Sequence, residues 1–288
     1  MPAERTFTLT VSCPDRVGIV AAVSTFIARQ GGWIVEANHH SDPATARFFM
    51  RNVLRAASLA GDAAAFRREF AGIATEFGMQ WSLTDSAQKK RVVLLVSKLD
   101  HCLVDLLYRW KSGELDCDIP CIISNHDDLR SYVEWHKIPY QHVPIPTDPP
   151  GKAQAFDRIE HLFGESRGDV MVLARFMQIL PPRLCSRYPG RILNIHHSFL
   201  PSFAGARPYQ QAFARGVKLI GATSHYVTEE LDAGPIIEQD LVRIDHGDTE
   251  EDLIRYGRDI EKLVLARALK YHLEDRVLLN GNRTVVFY

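Results

Sequence analysis

With 288 residues the chain exceeds the usual single-domain size, so two domains are expected, each able to bury its own core without disulfides or metals. Its 34 basic and 35 acidic residues leave a formal net charge of -1, and no basic stripe stands out, which argues against nucleic acid as a partner. No stretch reaches the roughly 18 apolar residues of a membrane span, and the opening MPAERTFTLT lacks the apolar segment of a signal peptide, so a cytoplasmic protein with no membrane partner is expected.

Arg5 to Ser12 alternates apolar and polar residues (Phe7, Leu9, Val11), the pattern of a half-buried strand. Cys13-Pro14-Asp15 breaks it, and Val17 to Arg29 then places Val20, Val23, Ile27 and Ala28 on one helical face, with Asp15 able to cap the helix. Gly31-Gly32 stops that helix. Trp33 to His40 alternates again, Ser41-Asp42-Pro43 turns, and Arg47 to Arg55 can pair back as a hairpin. Ala63 to Phe77 carries Phe66, Phe70, Ile73 and Phe77 at helical spacing, and Met79 to Leu83 closes the unit as a strand. The order is βαββαβ, a ferredoxin-like arrangement. Domain 1 therefore covers 1–85, and the short polar stretch 86–90 (SAQKK at 86–90) is the linker to domain 2, 91–288.

From Val92 the pattern changes to short continuous apolar runs at 92–96, 119–123, 170–174 and 191–195, as in a parallel sheet covered by helices on both faces. Thr249 to His272 reads as a long closing helix. The fold class is thus α/β: the βαββαβ domain, then an open, mostly parallel, Rossmann-like domain with its site outside the carboxyl ends of the strands. No G-x-G-x-x-G follows a strand, which disfavours a dinucleotide oxidoreductase. The five cysteines (Cys13, Cys102, Cys117, Cys121, Cys185) are odd in number and scattered, as reduced, buried thiols are. Cys117 and Cys121 have no second Cys or His pair at zinc-ribbon spacing, so no metal is expected.

The chemistry concentrates between Asn194 and Gly234. Asn194 and His196 stand two apart at the end of an apolar run, so in a strand both side chains leave the same face. Asp232 precedes Ala233-Gly234-Pro235, a turn that can aim a carboxylate back at the strand ends. Taken singly, each of the three is more often a turn former or a satisfied polar group than a catalytic residue. Together, amide, imidazole and carboxylate without a serine or cysteine nucleophile suit acyl chemistry with an external nucleophile.

Asn194-Ile195-His196-His197-Ser198-Phe199-Leu200-Pro201, Ser224-His225-Tyr226-Val227 and Leu231-Asp232-Ala233-Gly234-Pro235-Ile236, in this order, resemble the folate-dependent formyltransferase family. The doubled histidine, GARPYQQA, GATSHYV and the terminal GNRTVVF look like its formyltetrahydrofolate deformylase branch, and Asp15-Arg16-Val17-Gly18-Ile19-Val20 resembles the signature of ACT regulatory domains. The resemblance implies hydrolysis of 10-formyltetrahydrofolate to formate and tetrahydrofolate, supplying formate to purine and one-carbon metabolism. Asn194 and protonated His196 would stabilise the tetrahedral intermediate, and Asp232 would orient His196 and the attacking water. Arg175, Met177, Ile179, Leu180, His225, Thr228 and Leu231 would border the folate, although Met177, Ile179 and Leu180 also read as core and His225 as a plain strand residue. It further implies no cofactor beyond the folate substrate, a homo-oligomer (dimer or tetramer) joined through ACT domains, and an amino-acid effector such as glycine or methionine near Asp15 and Gly18.

A transformylase needs an acceptor site, usually a Gly-rich turn after the first strand of this domain whose N-H groups hold phosphate. Here the turn is Ser97-Lys98-Leu99-Asp100-His101-Cys102, with no glycine and with a repelling Asp. Water is therefore the expected nucleophile. A formyltransferase acting on an amine, or a folate or amino-acid sensor that keeps the fold, are the alternatives.

Overall fold

The computed structural model describes residues 4–202 and 208–288. It divides into two units, Met1–Lys89 with Glu274–Tyr288, and Lys90–Leu273.

The first unit runs β1 (Thr6–Pro14), α1 (Ile19–Arg29), β2 (Ile34–Asp42), β3 (Arg47–Arg55), α2 (Ala63–Phe77) and β4 (Gln80–Asp85), the βαββαβ order expected, with a short 3-10 turn at Ala56–Ser58. Its antiparallel sheet has the order β2-β3-β1-β4. Because β1 buries every second residue (Phe7, Leu9, Val11, Cys13), one sheet face is apolar and both helices contribute to the core over it. Phe26, Phe66 and Phe70 interlock there, Phe26 and Phe66 edge to face at 5.0 Å. The inward face of α1 is Ile19, Val23, Phe26 and Ile27, whereas Val20 and Ala28, expected inside, are exposed. Asp15 does not cap the helix either. The N-cap is Gly18 at φ 98°, a left-handed conformation suited to glycine, and the Asp15 N-H donates to the Ala46 carbonyl at 2.9 Å.

The second unit contains β5 (Lys90–Val96), α3 (His101–Lys111), β6 (Cys117–Asp118), β7 (Ile122–Ser124), α4 (Arg130–Trp135), β8 (Tyr140–His142), α5 (Pro149–Glu165), β9 (Val170–Ala174), α6 (Pro182–Arg187), β10 (Ile192–His196), α7 (Pro208–Arg215), β11 (Leu219–Tyr226), β12 (Ile236–Arg243) and α8 (Glu250–Leu273). Among the described residues the sheet order is β12-β11-β10-β9-β5-β7-β8, with β6 beside β5. Pairings from β10 through β8 are parallel, while β10-β11 and β11-β12 are antiparallel. Burial of Val92–Val96 and Val170–Ala174 along their whole length explains the unbroken apolar runs. From β5 the chain first builds outward through β7 and β8, then returns to the other side of β5 for β9 and β10. That reversal opens a crevice beyond the carboxyl ends of β5, β9 and β10.

The last residues depart from the expected boundary of 91–288. Glu274–Tyr288 fold with the first unit, as the hairpin β13 (Val277–Asn280) and β14 (Arg283–Val286). Asn280 donates to Asp42 at 2.6 Å, and Arg51 donates twice to the Glu274 carbonyl, at 3.1 and 2.9 Å. A hairpin this short is marginal alone and needs such partners.

Candidate active site

A cavity of about 550 Å³ opens beyond the carboxyl ends of β5, β9 and β10, and three segments that leave those strands line it: Leu99, Arg175 to Ile179, and His197. Its lining combines apolar residues, Leu173, Phe176, Met177, Ile179 and Leu231, with polar ones, Arg175, His197, Tyr209, Gln210, Arg258 and Glu261. Asn194, His196 and Asp232 line the cavity as well.

Asn194 and His196 lie on β10, opposite His225 and Thr223 of β11. Asp232 stands at φ 55° in the loop after β11, a conformation that Asp tolerates better than most residues. Gly234 lets this loop close: a Cβ there would sit 1.8 Å from the Tyr226 carbonyl oxygen, and the backbone pairs back through Tyr226 N-H and the Pro235 carbonyl at 2.9 Å. The Asp232 carboxylate is thereby held 3.2 Å from His196 Nδ1 and 3.8 Å from His225 Nε2. Burial pushes its pKa up, but the hydrogen bond and charge of His196, with lesser help from His225 and His197, hold it below the ordinary carboxylate value.

His225 Nδ1 lies 2.9 Å from the Tyr226 carbonyl, so it carries the proton, and Nε2 can accept from Asn194 Nδ2 at 3.2 Å. Burial pushes the His225 pKa down and favours that neutral form. Asn194 is thus oriented from behind, and His196 from the side. His196 is almost fully buried, and its Nε2 has no partner among the described residues. An unmet buried nitrogen in a cavity wall is a group kept for something that enters the cavity.

Glu261 of α8 is fully buried yet charged. It takes hydrogen bonds from Tyr209 Oη at 2.6 Å and from His101 Nε2 at 2.7 Å, and Arg175 Nε stands 3.4 Å away. Burial pushes its pKa up, but these partners bring the balance below the ordinary value. Gly257, one turn earlier, makes room, since a Cβ there would fall 2.1 Å from the Tyr209 ring and hydroxyl. His101, Cys102 and Glu261 bring donor atoms within 4.8 Å of one another, but a carboxylate already committed to these donors beside a guanidinium is a poor seat for a cation.

Of the residues singled out from the sequence, the structure brings Asn194, His196, Asp232, Arg175, Met177, Ile179 and Leu231 to one cavity. Leu180 points into the core of the second unit, Thr228 caps its own loop by donating to the Glu230 carbonyl at 3.0 Å, and His225 supports Asn194 from behind. Gly205 to Arg207 of the GARPYQQA stretch, and Phe203, lie outside the described residues. Sequence reasoning missed Tyr209, Glu261, His101 and Gly257. One signal was available: Glu261 shares a helical face with Leu253, Gly257, Val264, Leu265 and Ala268, all buried, and a carboxylate on such a face needs partners.

In the first unit, a separate cavity of about 620 Å³ is lined by Asp15, Arg16, Gly18, Ser24, His39 and Ser41 together with apolar neighbours. Asp15 and Gly18 thus border one space. No helix among the described residues is long and apolar enough to cross a membrane.

Residues 90–269 match the model of the formyl transferase family, so the class defined by this fold and site is that of the formyl transferases. A formyltetrahydrofolate deformylase of Bacillus subtilis is 49% identical over 97% of this chain and 93% of its own length. Crystal structures of formyltetrahydrofolate deformylases from Pseudomonas syringae (62% identity, TM-score 0.97, 100% of this chain and 96% of that one) and Burkholderia mallei (49%, 0.93, 99% and 100%) superpose on it. The chain belongs to the formyltetrahydrofolate deformylase family.

Proposed function

We infer that the chain hydrolyses 10-formyltetrahydrofolate to formate and tetrahydrofolate. The observation that carries the reading is the Asn194, His196 and Asp232 set, with His196 Nε2 open to a cavity whose lining, among the described residues, includes no serine or cysteine, so that the acyl acceptor comes from outside the chain. Full-length similarity to deformylases supports the same substrate. The apolar lining suits a flat pterin ring, and the polar lining suits the formyl group. Water adds to the formyl carbon. Asn194 Nδ2-H and the Nε2-H of His196 hold the developing oxyanion, while Asp232 fixes His196 through Nδ1 and takes part in moving the water's proton toward N10. The C-N10 bond then breaks, leaving formate and the tetrahydrofolate amine. No cofactor beyond the folate is required by this scheme.

The first unit is proposed to be an ACT regulatory domain that pairs with a second copy and binds a small amino acid such as glycine or methionine. The cavity at Asp15 and Gly18, and the exposed Val17, Trp33 and Val35, support that reading. The cytoplasm is the proposed location, where formate would enter purine and one-carbon metabolism.

The test is formate release from 10-formyltetrahydrofolate in buffer free of amines, with His196→Ala as control. Stoichiometric formate from the wild type alone is expected. Turnover only after an amine is added would assign the chain to the transferases.

A further inference from the structure

The hydrolase reading, on which this inference rests, leaves open why water, and not an amine, reaches the formyl carbon. Arg175 is among the polar residues that line the cavity; its side chain is 9% exposed, and the residue follows β9 at φ 62°. Its Nε stands 3.4 Å from Glu261 without hydrogen-bond geometry, and neither Nε nor Nη1 has a hydrogen-bond partner among the described residues. Buried guanidinium donors left unmet are costly unless something entering the cavity takes them. Glu261 cannot swing to meet them, because Tyr209 and His101 hold its two oxygens from either side and Tyr209 is packed against Gly257.

His197 faces the same space. Its ring lies 5.2 Å from the His196 ring and 5.8 Å from that of Tyr209. Burial, seconded by the charge of Arg175, pushes its pKa down to about 3, so the imidazole is neutral and can accept a hydrogen bond. Fixed donors and a neutral acceptor match a water molecule, which offers lone pairs to one and a hydrogen to the other. An amine in the attacking state has only one lone pair, which the formyl carbon needs, and its protonated form is repelled by the guanidinium.

We propose that Arg175, locked by the Glu261-Tyr209-His101 cluster, and His197 form the seat of the hydrolytic water and exclude amine acceptors, making this cavity specific for hydrolysis. The water oxygen forms the new C-O bond as the C-N10 bond breaks. One water proton is taken up by the Asp232 carboxylate and delivered to N10, and the other is lost to solvent when formic acid ionises. Arg175 and His197 position the water and keep their protonation states.

The experiment is a partition assay on the full chain: 10-formyltetrahydrofolate with added hydroxylamine, measuring formate against N-hydroxyformamide above the enzyme-free rate. Wild type should give almost only formate. Arg175→Ala should slow formate release and raise the hydroxamate-to-formate ratio about tenfold or more, the loss expected for a charged hydrogen bond. Tyr209→Phe, which keeps the ring against Gly257 but frees one oxygen of Glu261, should raise the ratio less, and it carries the test if Arg175→Ala does not fold. A purely structural role would lower both products together, so an unchanged ratio in the folded variants overturns the proposal. Absence of formate from the wild type without amine is a different result: it overturns the hydrolase reading itself.

Discussion

Two aspartates, the buried Asp42 of the first unit and the half-buried Asp232 of the second, show the same acidic shift in different settings. Asp42 accepts from Ala44 N-H at 3.0 Å, Thr45 Oγ1 at 2.9 Å, Asn280 at 2.6 Å and Arg283 at 3.0 Å, and these hydrogen bonds, Thr45 first, lower its pKa. Its donors tie a turn to the closing hairpin. Asp232 has fewer partners, and its main one, His196, keeps its second nitrogen open to a cavity. Direction of pKa shift therefore does not separate a structural carboxylate from one proposed to be reactive. Spare hydrogen-bonding capacity in the partner does.

The largest expected break in that comparison is Asp232→Asn. Formate release should fall about 10²- to 10⁴-fold, the range for removing a positioned acid-base group, while folate titration shows binding largely kept. Near-normal turnover would remove Asp232 from the chemistry. Next comes Gly234→Ala, whose Cβ would meet the Tyr226 carbonyl and displace the Asp232 loop. Overpacking of this kind costs about 1–3 kcal/mol, so both melting temperature and turnover should drop, and a variant with native values of both would show that the loop does not need this close approach.

The third test uses pH. His197 and His272 are half-buried, and desolvation pushes the pKa of each down to about 3, so both are neutral. Unfolded histidine takes a proton near pH ~6.5. Between those values the unfolded chain binds protons that the folded one refuses, so their contribution is complete above about pH 6.5 and is lost as pH falls toward 3. Melting should occur at a clearly lower temperature at pH 5 than at pH 8. The aspartates add loss only at lower pH, below their unfolded value of 3.8. Equal melting at pH 5 and 8 would mean that the two histidines are reached by solvent. The smallest effect belongs to Asp42→Asn, which should lower the melting temperature modestly and leave kcat unchanged; a matching loss of kcat would undo the contrast between the two aspartates.

Local pattern carried much of the fold. Period-2 burial in β1, the helix Ala63–Phe77 and the apolar run of β9 were legible because each reflects neighbours a few residues apart. The face of α1 was not, since Val20 and Ile19 are equally apolar and only the sheet beneath selects one of them. Nor was the placement of Glu274–Tyr288 with the first unit, which depends on Asp42 and Arg51 far back in the chain.

The site divides along the same line. Sequence by itself determined Asn194 and His196 as a strand-end pair and Asp232 as a turn carboxylate, because their spacing and motif order are local properties. Only the tertiary structure decided that Glu261, His101, Tyr209 and Arg175 meet beside them, or that Leu180 turns into the core instead of the cavity. The pairing of His101 with Glu261 spans 160 residues. No local periodicity encodes such a contact. It arises where α8 packs against α3 and against β10, β11 and β12, and the desolvation of a lone carboxylate there is what makes the partners necessary.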